Sequence, residues 1–140
     1  MSDTPAKDPR GEGERWLAQA RHDLEVARLT GREGHCAYAC FLSQQAAEKA
    51  LKAILYTGGE RIVIGHSVLE LARRARARAP GLQTHDALAG TLDQYYVATR
   101  YPSGLPGGVP FEAFTGEQAR AAVDGAARFV EIAAAFVTER

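Results

Sequence analysis

The amino-acid sequence predicts an all-α protein, an up-and-down antiparallel four-helix bundle with an additional short helix. Apolar residues recur every three or four positions along most of the chain, and no segment sustains the two-residue alternation of a half-buried strand. Two capping boxes, Ser67-Val68-Leu69-Glu70 and Thr115-Gly116-Glu117-Gln118, mark helix starts. The 140 residues suit one domain, and 46% hydrophobic with 24% charged residues excludes wholesale disorder.

The elements follow in order. Residues 1–13 are polar and rich in Pro and Gly and read as a flexible tail, leaving 14–140 as the helical domain. The first helix is expected from about Glu14 to Leu29, with Trp16, Leu17, Ala20, Leu24 and Ala27 on one face and Gly31 ending it. The second, from about His35 to Tyr56, is apolar over most of its girth, with Ala37, Ala39, Cys40, Ala46, Ala47, Ala50, Leu51 and Ile54. A helix of that kind is enclosed by neighbours, so it is the central one, and its alanines let the others approach closely. Gly58 and Gly59 stop it. A third helix starts at Val68 and ends before Pro80, and a fourth runs from about His85 to Thr99. Three prolines and three glycines between Pro102 and Phe114 make a long flexible connection of the kind that carries function. The last helix follows Thr115, with Ala119, Val123, Ala126, Val130, Ala133 and Val137 facing inward.

Charge and cysteine content narrow the function classes. The 17 basic and 17 acidic side chains cancel, so the chain does not coat nucleic acid or anionic membrane by bulk attraction, and only local patches remain. No apolar run approaches the roughly 20 residues that span a bilayer, and no N-terminal hydrophobic stretch reads as a secretory signal. A cytoplasmic protein without membrane contact is the expectation. The two cysteines, Cys36 and Cys40, make no disulfide framework and, with no second ligand pair, no zinc site; they read as core residues. No cofactor-binding loop or metal motif is present.

Four segments carry a family resemblance. Ala20-x-x-Asp23-Leu24-x-x-Ala27, then Phe41-x-x-Gln44-Gln45-Ala46-Ala47-Glu48-Lys49-Ala50-Leu51-Lys52-Ala53, then Gly65-His66-x-x-x-x-Leu71, then Leu92-Asp93-x-x-Tyr96-x-x-Thr99-Arg100-Tyr101-Pro102 resemble the HEPN family (higher eukaryotes and prokaryotes nucleotide-binding domain) over about residues 14–138. The resemblance implies an all-α bundle that dimerises. It also implies one of two roles, since many members are encoded beside a small nucleotidyltransferase and others are metal-independent ribonucleases. The ribonucleases carry an Arg followed within a few residues by a His. Arg100 matches the Arg, but Tyr101 to Gly108 contains no His. Arginine holds phosphate and stabilises charge without shuttling protons, so the departure removes the usual acid–base partner and leaves phosphate binding.

The candidate nucleotide- or phosphate-binding residues are therefore Arg100, Tyr101, Lys49, Lys52 and Gln45. Arg100 also has a plain reading, contact with the last helix carbonyls or pairing with Asp93 or Glu112. Tyr96 and Tyr101 read either as base-stacking platforms or as half-buried rings with a wet hydroxyl. Gln45, Glu48, Lys49 and Lys52 share one arc of the second helix, which is either a partner groove or a solvated face carrying a Glu48–Lys52 surface pair. His66 is either a structural hydrogen-bonder ahead of the third helix or a displaced general base, making Arg100 and His66 the catalytic candidates. Arg73, Arg74, Arg76 and Arg78 form a basic patch that either steers a nucleic acid or is simply exposed.

Two function classes result. One is a non-catalytic nucleotide- or RNA-binding module, a homodimer or the partner of a small nucleotidyltransferase in a toxin–antitoxin-like pair. The alternative is a toxin-like, metal-independent ribonuclease using Arg100 with a base such as His66. Phe111, Phe114, Tyr101 and Leu105 supply the apolar surface expected of a dimer.

Overall fold

The computed structural model describes residues 8–139. Helices α1 (Pro9–Arg32) and α2 (Cys36–Thr57) form a long hairpin. α1 begins at Pro9, ahead of the expected Glu14, because Asp8 accepts a hydrogen bond from the Gly11 amide and Pro9 has no N–H to leave unpaired in the first turn. Gly11 and Gly13, which read as breakers, lie inside the helix. Gly13 is buried where α1 crosses α2, and a Cβ there would sit 2.9 Å from the Ala53 carbonyl oxygen. The remainder of the expected tail, residues 1–7, lies outside the described residues. At its other end α1 runs past Gly31 to Arg32. The turn is made by Gly34 at φ +87°, a conformation that costs glycine little.

All six alanines of α2 are buried, as are Leu51, Ile54 and Leu55. Helices meeting this surface pack on methyl groups and approach closely. Helix α3 (Val68–Ala75) starts at the predicted capping box, Ser67 Oγ accepting from the Glu70 amide at 3.1 Å. A 3-10 turn (Pro80–Thr84) leads to α4 (Asp86–Asp93) and α5 (Tyr95–Ala98). The single helix expected from His85 to Thr99 is thus broken at Gln94. There the amide bonds the Thr91 carbonyl in a tighter turn, while Asp93 reaches across to cap α3, accepting from Ser67 Oγ at 2.7 Å and from the Val68 and Leu69 amides.

The Pro102–Phe114 connection is more ordered than a loop. It holds a 3-10 turn (Pro102–Gly104) and a short helix α6 (Pro110–Ala113), with Pro110 buried and Phe114 set edge-on to Tyr95 at 5.8 Å. Phe114 therefore packs against the core, and Leu105 is partly covered, whereas Tyr101 and Phe111 are exposed. Helix α7 (Gly116–Thr138) opens with the second capping box, both of its hydrogen bonds formed. Its start lies beside the end of α1, so α7 runs antiparallel to α1 and alongside α2. The α4–α5 segment climbs back to the same end, where Arg100 meets Phe41 near the start of α2. Four directions alternate around a core centred on Leu51, Ile54, Leu92 and Phe129, and no strand occurs among the described residues.

The α1–α2 crossing gives a direct test. Gly13→Ala should lower stability by about 1–3 kcal/mol in urea unfolding, although alanine is the better helix former. An unchanged or raised midpoint would mean that the two helices separate freely at this point.

Candidate functional site

The polar arc of α2 is an interior network rather than a solvated face. Glu48 and Lys52 form the expected pair at 3.2 Å, but their side chains are only 5% and 7% exposed. Lys52 Nζ lies 5.5 Å above the Trp16 ring, and Trp16 stacks on Tyr56 at 5.4 Å. Gln44 is fully buried and donates to Glu48 Oε1 at 3.2 Å and to the His66 carbonyl at 2.9 Å. Gln45 donates in turn to Gln44 Oε1 at 2.8 Å. Lys49 turns away toward α1, where it bonds Asp23 at 2.6 Å, and Gln19 donates to the same carboxylate. Helical spacing places these residues on one arc, but α1 and the segment following α2 close over it, and that closure is tertiary.

Gly65, at φ +105°, turns the chain so that His66 returns to this network. Its Nδ1 lies 3.3 Å from Glu48 Oε2 while the side chain stays 59% exposed. The imidazole stacks on Tyr96 with centroids 4.9 Å apart and planes at 17°. The same Tyr96 ring meets Arg100, whose Cζ is 4.7 Å from its centroid, 4.5 Å from that of Phe41 and 5.0 Å from that of Tyr101. Arg100 Nε donates to the Tyr96 carbonyl at 2.8 Å, the helix-end contact of its plain reading. Pairing with Asp93 does not form, because Asp93 caps α3. Among the described residues no histidine touches the guanidinium itself; His66 and Arg100 meet through one tyrosine.

A continuous path therefore runs from Lys52 through Glu48, His66 and Tyr96 to Arg100 and Tyr101, with Gln45 beside Glu48. Of the predicted binding residues, Arg100 and Tyr101 are adjacent at the surface, Gln45 joins through the buried amides, Lys52 is locked inside, and Lys49 belongs to the α1 contact. Sequence reasoning missed Tyr96 as the shared platform and Glu48 as the partner of His66. The position of Tyr96, four before Arg100 on one helical face, is the signal that pointed there. The contact of His66 with α2 had no local signal.

The other candidates resolve simply. Arg74 pairs with Glu60, and Arg73 and Arg76 both reach Asp86, so the basic patch is largely neutralised. Cys40 is buried, and that burial, helped by Cys36, pushes its thiol up to about 12, leaving it protonated and unreactive near neutral pH. Among the described residues no three His, Cys, Asp or Glu side chains gather as metal ligands, and no helix is long and apolar enough to cross a membrane.

An all-α bundle on an alanine-rich central helix, carrying an arginine set among three aromatic rings, is the class of domain these elements define. The chain belongs to the HEPN domain family, whose pattern matches residues 13–136. It is 27% identical over 133 residues to the Methanocaldococcus jannaschii protein named "Putative toxin MJ1304", covering 89% of this chain and 88% of that one. Among solved structures it is similar to TT1696 from Thermus thermophilus, with 37% identity and a TM-score of 0.81 over 91% of this chain and 96% of that one. ST0689, described as an archaeal HEPN homologue, gives 34% identity and a TM-score of 0.73 over 89% and 97% of the two chains. A HEPN domain protein of Thermotoga maritima gives 28% and 0.71 over 90% and 99%.

The buried pair sets an expectation for stability. Lys52→Ala leaves the Glu48 carboxylate interior and short of its cation, so unfolding free energy should fall by about 3 kcal/mol or more. Lys49→Ala, at a more exposed pair, should cost less. Equal and small losses in chemical denaturation would show that Glu48 is held by its amide and imidazole contacts alone.

Proposed function

We propose that this chain is a nucleotide- or RNA-binding module that grips phosphate with Arg100 and stacks a base on Tyr101. It acts as a homodimer or beside a small nucleotidyltransferase in a toxin–antitoxin-like pair in the cytoplasm, any nucleotidyl chemistry belonging to that partner. The observation that carries the reading is the clamp on Arg100. Three rings and one carbonyl bond orient the guanidinium, and its two terminal nitrogens have no protein partner among the described residues. A pre-oriented planar fork binds phosphate with little loss of side-chain freedom. Tyr101 is 51% exposed beside it, a sequence-tolerant stacking surface. The toxin name of the Methanocaldococcus jannaschii relative supports the toxin–antitoxin-like setting.

A second reading, the ribonuclease, draws on the His66–Glu48 contact. A carboxylate on Nδ1 orients the ring and leaves Nε2 to take a proton. A ribose 2′-hydroxyl would give its proton to Nε2 as O2′ bonds phosphorus and the 5′-oxygen departs with a proton from solvent. Arg100 would steady the charge on the phosphoryl oxygens.

Metal-free incubation with short single-stranded RNA separates the two. The binding reading expects intact RNA, with affinity falling about tenfold or more in Arg100→Ala and the log–log salt slope falling by about one. Cleavage by the unaltered protein that disappears in His66→Ala would replace it with the ribonuclease. For the dimer, Tyr38, Val97 and Phe111 expose apolar surface on α2, α5 and α6. Sedimentation at micromolar concentration should give twice the chain mass, and a monomer there would remove the homodimer.

A further inference from the structure

A second cluster of arginines lies where the end of α1 meets the start of α7. Arg28 and Arg32 of α1 and Arg120 of α7 line one cavity of about 400 Å³, a volume suited to a small ligand. All three side chains are exposed, and none of them forms an ion pair or side-chain hydrogen bond among the described residues. Asp124 is the one acid on the wall, which leaves two positive charges in excess. The end of α1 and the start of α7 meet here, so their dipoles offset and the side chains set the field. Gly116 lies on the wall, where a Cβ would press on Arg120 Nη1 at 3.3 Å, whereas a Cβ on Gly31 would face Ala39 of α2.

Arg28 and Arg32 are like charges at i and i+4, a spacing that destabilises a helix, and a third guanidinium faces them from another helix. A bound anion with two or more charges relieves that repulsion and fits planar donors converging from two sides. We propose that the cavity binds an oligophosphate, two or more linked phosphates, held by Arg28, Arg32 and Arg120. The phosphates arrive either as free pyrophosphate or as the tail of a nucleotide. In the second case Asp124 accepts a hydrogen bond from the sugar or base. The site is separate from Arg100 and does not depend on the function proposed for it.

Calorimetric titration of the full chain in metal-free, low-salt buffer, with pyrophosphate and with ATP as probes, tests this. In Arg100→Ala protein, which lacks the site proposed above, binding of pyrophosphate below about 1 mM is expected, weakened about tenfold or more when Arg28→Gln or Arg120→Gln is added. Because each Gln variant removes repulsion, the unliganded variants should melt at or above the temperature of the unaltered protein, which also shows that they fold. Tighter binding of ATP that Asp124→Asn reduces to the pyrophosphate level identifies a nucleotide tail. Equal binding of both probes, untouched by Asp124→Asn, identifies the phosphate chain alone. No binding of either probe by Arg100→Ala protein up to about 10 mM would overturn the proposal, as would binding that persists when Arg28→Gln or Arg120→Gln is added.

Discussion

The structure depends on a charge pair placed where a helical bundle ordinarily has only hydrocarbon. Glu48 and Lys52 sit one turn apart on the central helix, nearly sealed from water, with the side-chain amides of Gln44 and Gln45 donating to Glu48. A buried ion pair adds little net stability over an apolar pair, but its demands for hydrogen bonds are strict. Those demands bring Gln44, Gln45 and the segment around His66 to one place, and Trp16 covers the ammonium. The pair thus acts less as glue than as a register mark, tying α1, α2 and the turn before α3 to a common height on the bundle.

From that mark the outer site follows by contact. His66 is seated by Glu48, Tyr96 lies against His66, and Arg100 lies against Tyr96. Each step is a planar group resting on another, so orientation passes outward without a rigid covalent frame. The guanidinium consequently reaches the surface already aimed. Asp93 reinforces the arrangement from below by capping α3 from the end of α4, which holds the two short helices together just beneath Tyr96.

The two arginine clusters at this end of the bundle differ in how their charge is handled. Arg100 is surrounded by the negative faces of aromatic rings and so is stabilised without a counter-ion. Arg28, Arg32 and Arg120 have no such cushion and face one another across open space. The first is held by rings within the protein, and the second stands exposed to solvent along the wall of a cavity.

Much of the architecture was legible in the residues: the central helix from its alanines and enclosed girth, two helix starts from their capping boxes, and Arg100 and Tyr101 as surface candidates from their place at a helix end. The errors have specific causes. Gly11 and Gly13 read as breakers because composition cannot tell a glycine that ends a helix from one that lets another helix pass. The fourth helix reads as continuous because the capping duty of Asp93 lies on a different element. The sequence by itself determined helical periodicity, caps and the apolar stripes, since these are local and depend on residues within a turn or two of one another. Only the tertiary structure decided that the Glu48–Lys52 arc is interior, that His66 and Arg100 share Tyr96, and that Arg28, Arg32 and Arg120 line one cavity. Burial and charge neighbourhood are set by segments far apart in the chain, and helical spacing carries no record of which segment will cover a face.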